Sequence, residues 1–234
     1  MAKGATPRTA TDAEVRSLLE RYRCPVPFHA VRTRFLGNIA SPDTEASPIN
    51  AVEALWGGSL PAFETLDAAN ELVGALVMGL WNRLTRHQER TAAFRLTRLV
   101  VSATRQGLGR LALVRRQELD GFVDGLFGDK KSLDLPERAH KALGVLAEIR
   151  SMLEAARTLA EDPAKPTETG ELAATFGHFR EITRIAAHEM HEAVLSCTRA
   201  RRQLMQALCA CRPLHRERPN LRECLCRAHS EDRP

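Results

Sequence analysis

The sequence predicts an all-α protein, a multihelical bundle with a long C-terminal helical extension. Three observations predict it. Apolar residues recur at three- and four-residue spacing along most of the chain, helix start and stop signals bracket those runs, and alternation of apolar with polar residues never persists beyond a few positions. At 234 residues, 44% hydrophobic and 27% charged, the chain is long enough for a sizeable core and too apolar for wholesale disorder. No run approaches about eighteen consecutive apolar residues, so no membrane-spanning helix is expected. The start, Met1-Ala-Lys-Gly-Ala-Thr-Pro7, lacks the apolar centre of a secretory signal, which points to a cytoplasmic protein.

The elements follow in order. Residues 1–10 are small and polar and are expected to be disordered. Thr11-Asp-Ala-Glu14 reads as a capping box, and Val15, Leu18 and Leu19 follow at helical spacing until Cys24-Pro-Val-Pro27 stops the helix. A second helix runs from Phe28 to about Asn38, with Phe28, Val31, Phe35 and Ile39 on one side. Ser47-Pro48 supplies an N-cap with proline in the first helical position, and Gly57-Gly58 closes that short helix after Leu55-Trp56. Thr65 caps the next, strongly apolar helix, in which Leu72, Leu76, Met78, Leu80 and Trp81 are expected to be buried on more than one side. The helical pattern continues through Phe94, Leu96, Leu99 and Val100 to about Thr104, with a bend near His87-Gln-Glu-Arg90. Gly107 and Gly109 read as a helix–helix turn before a helix through Leu111, Val114, Leu119 and Phe122.

Pro136 opens a helix running to about Glu161, which closes a helical domain over residues 11–161. Asp162-Pro-Ala-Lys-Pro-Thr-Glu-Thr-Gly170 reads as a linker. From Glu171 to about Ala210 no proline occurs, and Leu172, Phe176, Phe179, Thr183, Ala186, Met190, Ala193, Cys197, Leu204, Leu208 and Cys211 form one stripe. Forty residues of helix would span roughly 60 Å at about 1.5 Å per residue. Such a helix is either broken or serves as an arm for a partner or a second copy.

Charge and cysteine are both lopsided. The formal charge is +5; residues 1–194 hold 25 basic and 25 acidic side chains, whereas residues 195–234 hold nine arginines against four acids. A basic tail of this kind attracts anions, nucleic acid among them. Cys24 stands alone, and Cys197, Cys209, Cys211, Cys224 and Cys226 crowd the C-terminal part. In a reducing compartment clustered cysteines are metal ligands or free thiols rather than disulfides. Structural zinc takes four soft or borderline ligands in a tetrahedron. The pairs Cys209/Cys211 and Cys224/Cys226 could supply them to a Zn²⁺ ion, with His229 as a replacement and Pro213 and Pro219 breaking the helix between the pairs.

His188-Glu-Met-His-Glu192 lacks the i, i+4 histidine pair of a helical metalloprotease site. His178, Glu181, His188 and Glu192 fall on a common polar face opposite the apolar stripe, which reads as solvated. Gly107-Leu-Gly109 is no phosphate loop, since no strand precedes it and no Lys-Ser/Thr follows. Trp56 and Trp81, set among Leu and Phe, read as core. No ordered catalytic signature occurs, so the chain is expected not to be an enzyme.

The middle of the chain also carries Phe35-Leu-Gly-Asn-Ile-Ala-Ser-Pro42 followed by Ser47-Pro48, then Leu55-Trp-Gly-Gly58, Pro61-Ala-Phe-Glu64, Leu80-Trp-Asn-Arg-Leu84 and Gly121-Phe-Val-Asp-Gly125. In these blocks residues 28–160 resemble the YecA/YgfB family of small, all-helical bacterial proteins. Some members end in a zinc knuckle with a Cys-x-Cys pair and a second close pair. The tail here is similar in outline, with twelve residues between its pairs. The resemblance implies an all-helical body. The expected function is an interaction or adaptor protein that docks a protein partner, or itself, through helix 171–210; the alternative is a nucleic-acid-associated regulator that contacts phosphates through the tail. No membrane partner is expected.

Overall fold

The computed structural model describes residues 10–43, 45–162 and 169–210, and among them the protein is all-α. The described residues up to Ala200 form one compact unit. Local capping sets the helix starts. In α1 (Asp12–Arg21) the Glu14 amide donates to Thr11 Oγ1 at 3.3 Å and the Thr11 amide donates to the Glu14 carboxylate at 2.7 Å, a closed capping box. Ser47 caps α3 (Pro48–Glu53) and Thr65 caps α4 (Leu66–Val73), each accepting a 3.1 Å bond from the third amide of its helix. A 3-10 turn, Ala54–Trp56, ends at Gly57 and Gly58, whose φ angles of 82° and 105° suit glycine.

The centre of the fold is α2 (Phe28–Ala40) laid along α6 (Arg105–Phe127). Phe35, Leu36, Ile39, Phe122 and Leu126 are fully buried between them and their neighbours. Their backbones touch: a Cβ built on Gly125 would lie 1.8 Å from the Arg34 carbonyl oxygen, one on Gly121 2.6 Å from that of Ala30, and one on Gly37 2.1 Å from that of Phe122. The Gly121-Phe-Val-Asp-Gly125 block is thus a small-residue seam between helices. Against α6 packs α7 (Glu137–Glu161), opened by Pro136. In α8 (Thr169–Ala210) Leu172, Phe176, Phe179, Ala186, Met190, Ala193 and Cys197 are buried in the same core as α2 and α6. Arg138 of α7 bonds Glu189 at 2.6 Å and approaches Glu192 at 3.4 Å. Beyond Ala200, Leu204 and Met205 are exposed.

Several expectations are corrected. α4 passes into a π-helical stretch, Gly74–Trp81, then one α turn, α5 (Asn82–Leu84), and a 3-10 turn, Thr85–Gln88. Leu72, Leu76 and Leu80 are buried, but Met78 is 65% exposed, so this helix has one buried side. Trp56 and Trp81 are half-buried, packed against the core rather than enclosed in it, and each indole N–H finds an acceptor within the protein: the Tyr22 carbonyl and Asn38 Oδ1, both at 3.0 Å. No helix covers residues 89–104. Phe94 and Leu96 enter the core at two-residue spacing while Arg95 stays exposed, and side chains from other elements take the backbone bonds that a helix would have used. Gly107 and Gly109 lie inside the first turns of α6, not in a loop; the Thr104 hydroxyl caps the Gly107 amide at 3.1 Å. The expected disordered N-terminus, most of the 162–170 linker and the 211–234 tail lie outside the described residues.

Candidate functional site

α6 and α7 run antiparallel, since Arg116 meets Glu154 while Asp120 meets Arg150. Where they approach their connection they leave a trough. Val123, Asp124 and Phe127 form the α6 wall, Leu143, Gly144 and Ala147 the α7 wall, and buried Leu119 and Leu146 the floor, around about 780 Å³. That volume lies within the range of ligand and peptide pockets. Val123 is exposed, and a Cβ on Gly144 would meet nothing within 4 Å, so the missing side chain opens the trough. From Leu119 to Phe127 the trough follows about two helical turns, roughly 12 Å.

Charges frame it. At one end Arg150 Nε donates to Asp120 at 2.5 Å, and the carboxylate holds the guanidinium pKa above its ordinary value. The pair continues along the seam, from Asp120 to Arg116 at 3.4 Å, from Arg116 to Glu154, and from Glu154 to Arg157 at 2.9 Å. Bonds from Arg157 and Arg116 lower the Glu154 pKa to about 2. His140 lies at the other end, and Asp124 stands on the rim without an ion pair among the described residues.

A second, more polar cavity of about 270 Å³ lies where α2 and α6 end, lined by Arg34, Asn38, Asn50, Asp124 and Asp129. Lys130 bonds Glu45 at 3.1 Å and lies 3.6 Å from Asp43, which raises its pKa. Its carboxylates are partly neutralised, and no ligand chemistry follows from it.

The cysteine site of the sequence is not described. The backbone of Cys209 lies in α8, whereas its side chain and all of Cys211, Cys224, Cys226 and His229 are outside the described residues. No group of three or more His, Cys, Asp or Glu side chains suited to a metal occurs among the described residues. Cys24 is half-buried, and burial raises its pKa; Cys197 is buried. His178, Glu181 and His188 are exposed, as the solvated-face reading expects. His191 lies off that face. It is buried beside the Arg90 backbone, and His87 is buried with its Nδ1 2.6 Å from the Ala92 carbonyl; burial lowers both pKa values. No helix among the described residues is long and apolar enough to cross a membrane. Sequence reasoning missed the trough; its one signal was Gly144, a glycine in a helix interior with no neighbour to require it. No known protein family, curated protein or solved structure matches the chain.

Proposed function

We propose that this chain is a non-enzymatic interaction module whose α6–α7 trough receives an amphipathic helix of a partner protein. The observation that carries the reading is an open apolar trough between two helices, with Gly144 leaving room on one wall and Asp124 unpaired on the rim. A helix presenting apolar residues at i, i+3 or i+4, and i+7 fills such a trough. A lysine or arginine on its flank satisfies Asp124. Affinity capture with the wild type, Gly144→Leu and Val123→Glu tests this. Both positions are exposed, so neither substitution disturbs the core. A protein retained by the wild type and lost from both variants, whose binding fragment is an amphipathic helix with a basic flank, supports the reading; retention indifferent to both contradicts it.

A second reading rests on the nine arginines against four acids in the tail formed by residues 195–234. In it the tail contacts nucleic-acid phosphates, with zinc held by the two cysteine pairs. A steep loss of affinity for nonspecific DNA between low and moderate salt distinguishes it from the first.

A further inference from the structure

The charge balance of residues 1–194 conceals a basic block. Between Asn82 and Gln117 nine arginines stand against one acid, Glu89. Four of the nine are engaged inside the protein: Arg83 with Asp12, Arg105 with the carbonyls of Leu159 and Asp162, Arg115 with Glu118, and Arg116 with Asp120 and Glu154. Arg86, Arg90, Arg95 and Arg98 are exposed and make no ion pair among the described residues. They follow one another along the 3-10 turn and the non-helical strap after it.

That strap is fastened along one side. Phe94 and Leu96 enter the core, and Arg32 lies over the Phe94 ring and donates to Thr97 Oγ1 at 3.1 Å. The Thr97 amide donates to Glu118 at 2.8 Å, and its carbonyl accepts from Arg115 at 2.9 Å. Glu118 and Arg115 bond each other at 2.5 Å and are buried, so two side chains of α6 stand in for a neighbouring strand. The backbone groups of Leu96, Arg98 and Val100 have no hydrogen bond among the described residues. Val100 is 83% exposed, between half-buried Leu99 and Val101.

We infer that residues 95–101 form the docking edge for an acidic, partly apolar peptide segment of a partner protein, which lies alongside the strap in extended conformation. Four uncompensated arginines call for carboxylates, and Val100 calls for an apolar cover. The unbonded backbone offers both donors and acceptors, as an added strand requires. A nucleic-acid strand matches less well. Its phosphodiester supplies acceptors only, and Phe94, the one Phe, Tyr or Trp within residues 82–117, is 3% exposed and cannot stack on a base. A second copy is disfavoured, since antiparallel self-pairing centred on the unbonded groups sets Arg98 directly against its own counterpart. The edge shares no residue with the α6–α7 trough, so the two surfaces stand or fall separately.

The test uses the full chain and a fluorescent octapeptide of alternating Glu and Val, followed by anisotropy. Comparators are the same peptide with alternate backbone nitrogens methylated, an oligothymidylate of eight nucleotides, and vesicles containing phosphatidylserine. Methylation keeps the charge and removes the strand donors. The expected result is a loss of about tenfold or more in octapeptide affinity both on methylation and in Arg95→Glu/Arg98→Glu. Far-UV circular dichroism of that variant should be unchanged, and the amides of Arg98 and Val100 in the wild type should gain exchange protection on binding. Unchanged affinity in the double variant would assign binding to the tail arginines and overturn the inference. Equal binding of the methylated peptide, or a double-variant loss confined to oligothymidylate or vesicles, would overturn it as well.

Discussion

Gly125→Ala probes the contact on which the fold is built. The added Cβ would sit 1.8 Å from the Arg34 carbonyl oxygen and 2.7 Å from its carbonyl carbon, both backbone atoms. Reaching an ordinary contact requires α2 and α6 to separate by more than an ångström, and α2 is held against α6 again at Gly121 and Gly37. Overpacking of this kind costs about 1–3 kcal/mol. Because backbone meets backbone, the upper end applies. Alanine returns about 1 kcal/mol of helix propensity, so the net loss is about 2 kcal/mol or more. Gly144→Ala is the matched control, since its Cβ meets nothing within 4 Å and only the gain of about 1 kcal/mol remains. At about 2–4 °C per kcal/mol for a chain of this size, Tm should fall by about 4–8 °C for the first and rise by about 2–4 °C for the second. Urea unfolding with an unchanged m-value gives the free energies. Gly125→Ala within about 0.5 kcal/mol of wild type would refute the seam.

Three further outcomes are expected. Glu118→Ala leaves the Arg115 guanidinium buried without its partner and releases Thr97, so it should cost about 3–5 kcal/mol by denaturant unfolding. Arg115→Met/Glu118→Leu should recover much of that loss, and a loss as large in the double variant would count against the charge argument. Burial holds His87 and His191 neutral in the fold, so the unfolded chain takes up their protons first as pH drops below about 6.5. Stability is then retained above that pH and lost toward the lowered folded values, by up to about 1.4 kcal/mol per pH unit per histidine. Tm measured from pH 7.5 to 5 should fall less steeply in His191→Leu than in wild type, and parallel curves would refute the assignment. Phe122→Ala, fully buried between α2 and α6, should cost about 3–5 kcal/mol in the same unfolding assay.

Helix starts were legible in the sequence because their determinants are local. Thr11 with Glu14, Ser47 with Pro48, Thr65 and Pro136 each act within one turn of the helix they open, and the stripe of α8 from Leu172 to Cys197 is buried as its spacing requires. The strap was not legible. Phe94, Leu96, Leu99 and Val100 suit either periodicity, and the choice is made by Glu118 and Arg115, whose carboxylate and guanidinium bind Thr97 from about six helical turns of sequence away. Gly107 misled because glycine commonly ends helices, whereas here the Ser102 carbonyl lies 2.0 Å from where a Cβ would stand, and only glycine fits. The interaction surfaces escaped for two reasons. The trough depends on how far α6 and α7 stand apart, which no local pattern encodes. The basic block vanished when charge was summed over residues 1–194, because acids in the flanking segments cancel it.

The central claim is that a partner helix occupies the α6–α7 trough, and photo-crosslinking from position 123 tests it most directly. A photoreactive residue replacing Val123 in the full chain, expressed in its native cell, should give one discrete adduct. The crosslinked peptide should be an amphipathic segment with a basic residue near its apolar stripe, and the adduct should disappear when Gly144→Leu fills the trough. An adduct of undiminished yield in the filled variant, or crosslinks spread over many proteins without such a segment, would contradict the account.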